Sequence, residues 1–382
     1  MPNKILFMTA LIAASALSMT VQAQESSIIL TSTAIGQNFD YPTGTEEIET
    51  AVGDLDVVVE TAVFFKNLEL IGFDDLDGQT FFGVLAPIRM RYQANEKVTF
   101  EVGAVLGQNF GDDDGLDIIE PLVRIAVEPT PDVHIIAGTL LPTHASHQAL
   151  FDDTNKFQDL AEQGFQFRVN KNYFKQDSWI NWRIREGDIR AEEFEIGNVS
   201  QVRLFDDVLR LDGQFHYAHA GGQISESRRV DDNYAGLLGA SVGAGNALGW
   251  DTIEDVRLRG AAIFSSENTK DAPSTDGDGW EVGANVDLRV SDSTLVRLDA
   301  SYYSGEDLNA QRGDALYRFD DYGQLGAAAV WNFGPNMNIE FGAAYQRSDG
   351  PGTGEGDLDN WTANINFTYG TAFLTNAFKA RR

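Results

Sequence analysis

Residues 294–303 read TLVRLDASYY. Thr294, Val296, Leu298, Ala300 and Tyr302 fall on one side of an extended chain, and Leu295, Arg297, Asp299, Ser301 and Tyr303 on the other. A strand turns successive side chains to opposite faces, so this stretch is a strand with one apolar and one charged face. Two kinds of sheet carry that pattern. A soluble sheet turns its polar face to water, whereas a membrane barrel turns its apolar face to lipid and its polar face to a wet lumen.

The pattern recurs along the chain. WEVGANVDLRV sets Trp280, Val282, Ala284, Val286, Leu288 and Val290 against Glu281, Asn285, Asp287 and Arg289. MNIEFGAAYQ, WTANINFTYG, KVTFEVGAVL and GFQFRVN alternate in the same way. About sixteen such segments, each near ten residues, lie between roughly residues 55 and 373, with almost no helical spacing and no break in composition. The chain reads as one all-β domain over residues 55–382.

The connections decide between the two kinds of sheet. Those after segments two, four, eight, twelve and fourteen are tight: QANEK, PTPD, FDD, SDS and GPN. Those after odd-numbered segments are mostly long and rich in Asp and Gly, such as NFGDDDG, SSENTKDAPSTDGDG and SGEDLNAQRGDALYRFDD. A soluble sandwich has no reason to sort its connections by parity. A transmembrane antiparallel β-barrel does, with short periplasmic turns and long, here acidic, extracellular loops. Trp182, Tyr302, Tyr345, Trp361 and Tyr369 lie near strand ends on the apolar side, as a lipid-facing girdle requires. Val296 and Leu298 are therefore expected to face lipid, and Arg297 and Asp299 the lumen. Such a barrel must close, because an open edge in hydrocarbon leaves backbone groups unpaired.

The start of the chain fits a bacterial outer-membrane location. Lys4, the apolar run from Ile5 and the small-residue end Val21-Gln22-Ala23 form a secretory signal over residues 1–23. Residues 24–54 receive no structural assignment. There is no cysteine, so stability rests on strand pairing and packing. A net charge of −30 excludes nucleic acid as a partner, since phosphate wants a basic face.

In this architecture the chain resembles the sixteen-stranded bacterial outer-membrane porins. Its end, TYGTAFLTNAF, resembles the barrel-assembly signal of such proteins at Thr368, Gly370 and Phe373, although the tail KARR departs from their usual aromatic terminus. The resemblance implies a homotrimer in contact with outer-membrane lipid and lipopolysaccharide, passing small hydrophilic solutes.

Lumen-facing arginines are the first candidates for function: Arg89, Arg91, Arg124, Arg168, Arg183, Arg185, Arg203 and Arg210. Either they form ion pairs that hold a wide barrel rigid, or those on segments six to nine form a charged wall that orients solutes, a task suited to a permanently charged, multiply donating guanidinium. The third long connection, residues 143–163, lacks Gly and carries Asp152, Asp153, Asp159 and Glu162. The resemblance implies that it folds into the barrel and faces the arginines; the other reading is a short helix across the mouth. His144, His147, His216 and His219 could meet at that mouth and hold a transition metal, though packed histidines are the ordinary outcome. Residues 112–114 and 276–279 read as acidic loops, solvated or holding a divalent ion. No catalytic set, cofactor motif or phosphate loop stands out.

The expectation is a porin for passive diffusion and not an enzyme. A channel preferring anionic sugars or oligosaccharides is one alternative, and a barrel enzyme such as a lipid hydrolase, or a plugged surface-binding barrel, is another. The mature protein should begin at Gln24 or within a few residues of it, because Ala23 ends the cleavage motif. Intact-mass measurement of the membrane-inserted protein checks this; retention of residues 1–22 would overturn it.

Overall fold

The computed structural model describes residues 50–71, 79–111, 116, 118–141, 144–152, 161–222, 230–244, 252–270, 272–332, 337–348 and 358–374. Among these, sixteen strands follow one another in chain order. The first eight are β1 (Leu55–Ile71), β2 (Gln79–Asn95), β3 (Val98–Asn109), β4 (Ile118–Thr130), β5 (Val133–Thr139), β6 (Gln163–Lys171), β7 (Phe174–Ile184) and β8 (Glu192–Leu204). The second eight are β9 (Leu209–Gly221), β10 (Asp231–Gly243), β11 (Ile253–Thr269), β12 (Thr275–Ser291), β13 (Thr294–Glu306), β14 (Asp321–Asn332), β15 (Met337–Ser348) and β16 (Leu358–Leu374). Each pairs antiparallel with its sequence neighbours, and β1 pairs with β16 from Asp56↔Leu374 to Ile71↔Asp359, so the sheet is a closed barrel. The signal segment and residues 24–49 lie outside the described residues.

The period-two pattern sorts the faces. On β13 Leu298 is 46% exposed and Asp299 only 6%; Tyr302 is exposed at 42% and Tyr303 is fully buried. Val102, Val123, Phe165, Leu238, Leu258 and Val282 are likewise exposed on the outside. An outer surface of bare Val, Leu, Ile and Phe suits lipid and not water. Inward positions are charged and paired: Arg297 Nε donates to Asp287 at 2.6 Å, and Arg259 Nη1 lies 2.7 Å from Asp299.

Connections at one end are short, at 96–97, 131–132, 172–173, 205–208 and 292–293. At the other end they are long, at 140–162, 185–191, 222–230 and 307–320. The connection expected at residues 265–279 is mostly strand. β11 and β12 run on and pair as far as Glu267↔Thr275, so Asp276–Gly279 is ladder and not loop. Its Asp and Gly content disguised an overhanging hairpin whose backbone finds partners across the ladder. In the 307–320 connection, Asp314 caps a 3-10 turn, Ala315–Arg318, whose Leu316 and Tyr317 are buried.

Replacing Leu298 by Arg would place a charge on the lipid face. It should lower the unfolding free energy by about 2–4 kcal/mol if Leu298 lies near mid-membrane. Denaturant titration of the vesicle-inserted barrel checks this, and an unchanged midpoint would contradict the lipid-facing assignment.

Candidate functional site

Two regions bring chemistry-bearing side chains together, one inside the wall and one outside it. Inside, β1 to β5 carry a compact charge network. Glu101 accepts from Arg89 Nε at 2.9 Å, Arg91 Nε at 2.7 Å and Arg124 Nη1 at 2.8 Å, while Arg89 also pairs with Glu60. Arg124 donates on to the carbonyls of Thr139 and Leu140, both at 2.7 Å, and so ties the wall to the start of the 140–162 connection.

The described residues of that connection lie inside the barrel. His144, His147, Gln148, Ala149, Leu150 and Phe151 are all at most 5% exposed. His144 donates Nδ1–H to Asp177 on β7 at 2.9 Å and Nε2–H to Glu162 at 2.7 Å, and its ring stacks on Trp179 at 3.6 Å. A histidine donating from both nitrogens is an imidazolium. Burial works against that charge, but Glu162 and Asp177 outweigh it and raise the His144 pKa to about 9. His147 N donates to Gln214 on β9 at 2.6 Å, and Lys66 on β1 sits 3.9 Å from Asp152. The 307–320 connection clamps it: Asp152 N donates to Arg312 O at 2.6 Å and Asp314 N to Gln148 O at 2.8 Å. The Arg312 guanidinium lies over the Phe151 ring and 2.9 Å from Glu195 on β8.

The remaining predicted positions are spread along the wall. Arg168 lies 3.7 Å from Asp177, and Arg183 lies 3.3 Å from Glu193 and 3.2 Å from Glu195. Arg203 and Arg210 gather on Asp207 in the 205–208 turn, Arg210 Nε donating at 2.6 Å. Burial pushes the Asp207 carboxyl up, but Arg210, Arg203 and Arg257 together hold it below its ordinary value. Arg185 is exposed in the 185–191 connection. Asp153 and Asp159 lie outside the described residues. Of the loop acids described, Glu162 meets His144 and Asp152 meets Lys66.

The four histidines do not converge. His216 and His219 are three residues apart on β9, so period two sends them to opposite faces. His216 is buried inside, 3.6 Å from Glu195. His219 stands on the outer face at the end with the long connections, where its Nδ1 donates to Asp232 on β10 at 2.7 Å. The Tyr217 hydroxyl donates to the same carboxylate oxygen at 2.7 Å. Trp182, Phe194, His219 and Asp232 form one row across β7 to β10, and Ile196, Tyr217 and Tyr234 the row beneath. Rings pack at 5.2 Å for Trp182–Phe194, 4.8 Å for Phe194–His219 and 4.7 Å for Tyr217–Tyr234. A Cβ on Gly221 would lie 2.9 Å from His219 Nε2, so glycine keeps that nitrogen uncrowded. This outward His–Asp–Tyr group was missed by the sequence reading, though the odd spacing of the two histidines on an alternating strand carried the signal.

Because His144 is held as a cation, its grip on the inner connection is full below about pH 6.5, the ordinary histidine value. It is lost as the pH rises through about 9. Trp179 reports this: the fluorescence difference between the protein and its Trp179→Phe variant should change in one step near pH 9. No step there would show that the anchoring does not depend on the imidazolium.

Comparison with known proteins bears on both regions. The structure is similar to the loop L8 deletion mutant of OmpT, an outer-membrane protein of Vibrio cholerae: TM-score 0.52 at 13% identity, covering 83% of this chain and 100% of that one. It is also similar to an anion-selective porin from Comamonas acidovorans, with TM-score 0.51 at 12% identity over 83% and 100% of the two chains. In-vitro folded OmpT of Vibrio cholerae in its trimer form gives TM-score 0.50 at 10% identity, over 83% and 100%. The fold is that of bacterial outer-membrane barrels, and with its apolar exterior the chain is an outer-membrane β-barrel protein. No protein of curated function matches it. A family model described as Lipid A 3'-O-deacylase-type matches residues 48–336, well over half of the chain. The description is that of an enzyme, and it overturns the expectation of a non-enzyme, which rested on no catalytic set standing out in the sequence. The chain belongs to the Lipid A 3'-O-deacylase-type family.

Proposed function

We propose that this barrel hydrolyses an acyl ester of lipid A, or of a similarly acylated sugar, at the outer face near its extracellular rim. The observation that carries the reading is the exterior His219–Asp232 pair with Nε2 uncrowded, set in a platform of Trp182, Phe194, Tyr217 and Tyr234. Aromatic side chains settle at the membrane interface, and their flat faces suit both a sugar ring and the head of an acyl chain. In the tautomer that gives Nδ1–H to Asp232, Nε2 presents a lone pair and can act as general base. It takes a proton from water while the water oxygen adds to the ester carbonyl. The bond from that carbon to the sugar oxygen then breaks, and the proton passes from Nε2 to the leaving oxygen. The products are a free fatty acid and a sugar hydroxyl.

His219→Ala should lower the hydrolysis rate by about 100- to 10,000-fold, the usual worth of a general base. Asp232→Asn should lower it less and shift its pH profile. Mass spectrometry of lipid A from cells making each variant checks this. Full loss of the acyl chain in His219→Ala cells would remove the assignment, and lipid A unaltered by the unmutated protein would remove the activity.

A second reading, as a narrowed channel, is favoured by the inner connection. Its described residues reach from His144, held on Asp177 of β7, to Asp152 beside Lys66 on β1. Small hydrophilic solutes would pass by diffusion along Arg168, Arg183, Arg203 and Arg210, which also suit anionic sugars. A homotrimer and extracellular long connections belong to the same proposal. Conductance in planar bilayers tests it: Lys66→Ala with Arg312→Ala should raise conductance by loosening the connection, whereas a barrel that never conducts is no channel. An impermeant thiol reagent on intact cells should label Ile189→Cys and not Glu96→Cys; the reverse would invert the topology.

A further inference from the structure

The lipid-facing side of β7 and β8 breaks the apolar pattern of the exterior. Asp177 and Trp179 are buried inward on β7, as are Glu195 and Val199 on β8. Alternation therefore turns Gln176, Ser178, Asn198 and Ser200 outward. Ser178 pairs directly with Asn198, and Gln176 with Ser200, so the four make one block. In register on either side stand Phe167 and Val169 of β6, and Phe215 and Gly213 of β9. The block thus lies within the apolar belt and away from the aromatic rim.

Its hydrogen bonds are only partly closed. Ser178 Oγ accepts from Gln176 Nε2 at 2.9 Å and from Asn198 Nδ2 at 2.6 Å, while Ser200 Oγ donates to Asn198 Oδ1 at 3.0 Å. Among the described residues, the Ser178 hydroxyl proton, the Gln176 carbonyl oxygen and one N–H of each amide find no partner. Hydrocarbon supplies none, and each such group left bare there is costly. The surface is also low. Ser200 and Leu238 stand in register on either side of Gly213. An added Cβ there would meet only Leu238 at 3.9 Å, which leaves a dip on the Ser200 side where another backbone can come close.

We infer that this block is where a second copy of this chain docks within the membrane. The block is uncharged and holds donors and acceptors in one place, so it can satisfy itself across a rotation axis. A lipid chain could not do so, and a partner of unlike sequence would have to supply its own match. Phe165 and Phe167 on one flank and Leu211 on the other, all exposed, would give the surrounding apolar contact. The inference rests on the barrel exterior alone and does not depend on the proposed hydrolysis.

The chain has no cysteine, so single substitutions report cleanly. Ser178→Cys in native membranes, treated with a short bifunctional thiol reagent, should give a covalent species of twice the mass. Leu325→Cys, exposed on β14, should give several-fold less. Adding Gly213→Leu to Ser178→Cys fills the low surface and should cut the adduct several-fold while leaving the barrel protease-resistant. Equal adduct at Leu325, no adduct at Ser178, or an adduct indifferent to Gly213→Leu would each overturn the inference. Lipid A mass profiles from the same cells show separately whether the hydrolysis stands.

Discussion

Every strand of this protein depends on one constraint, the pairing of backbone groups where no water can reach them. Hydrocarbon neither donates nor accepts hydrogen bonds, so a sheet inside it must have no edge. β1 and β16 meet that demand together, pairing from Asp56 to Ile71 although the two strands stand at opposite ends of the fold's sequence. Closure also divides the side chains. Once the ring is shut, each strand has one face toward lipid and one toward an enclosed space, and the alternation of residues becomes an alternation of solvents.

The enclosed space is crowded with charge, and the charges are arranged so that few stand alone. Glu101 gathers three arginines, Asp207 gathers three more, and His144 is a cation because two carboxylates hold it. Removing one member of such a buried set leaves another uncompensated, which costs more than the set contributes when whole. This explains how two long connections can lie inside the barrel. Arg312 of one reaches Phe151 of the other and Glu195 on the wall, so the pair is fixed by contacts that neither makes alone.

Among the described residues, two polar groups on β7 to β10 interrupt the apolar outer face. Near the rim a histidine, an aspartate and a tyrosine share one hydrogen-bonded group among aromatic rings. Lower down, four small amides and hydroxyls bond to one another. Family membership directs attention to the first, because a lipid substrate meets the outer wall and not the lumen. The porin-like fold alone would have directed it to the lumen, which shows why fold is a weak guide to chemistry.

By itself the sequence determined the period of two, the strand class, the parity of the connections and which residues of TLVRLDASYY turn outward. These follow from local geometry, because a pleated strand has only two faces and a tight turn needs only a few residues. It also held, unread, the separation of His216 from His219. Tertiary structure decided the rest. Residues 265–279 look like a loop by composition, yet their backbone pairs as β11 and β12 because a partner strand is at hand. Arg312 finds Glu195 because the ring brings together positions far apart in the chain. Glu162, by contrast, meets His144 through the path of one folded connection, and His219 meets Asp232 through the register of β9 on β10. Alternation alone encodes none of these pairings, since each depends on a strand register or a connection's path that only the folded barrel fixes.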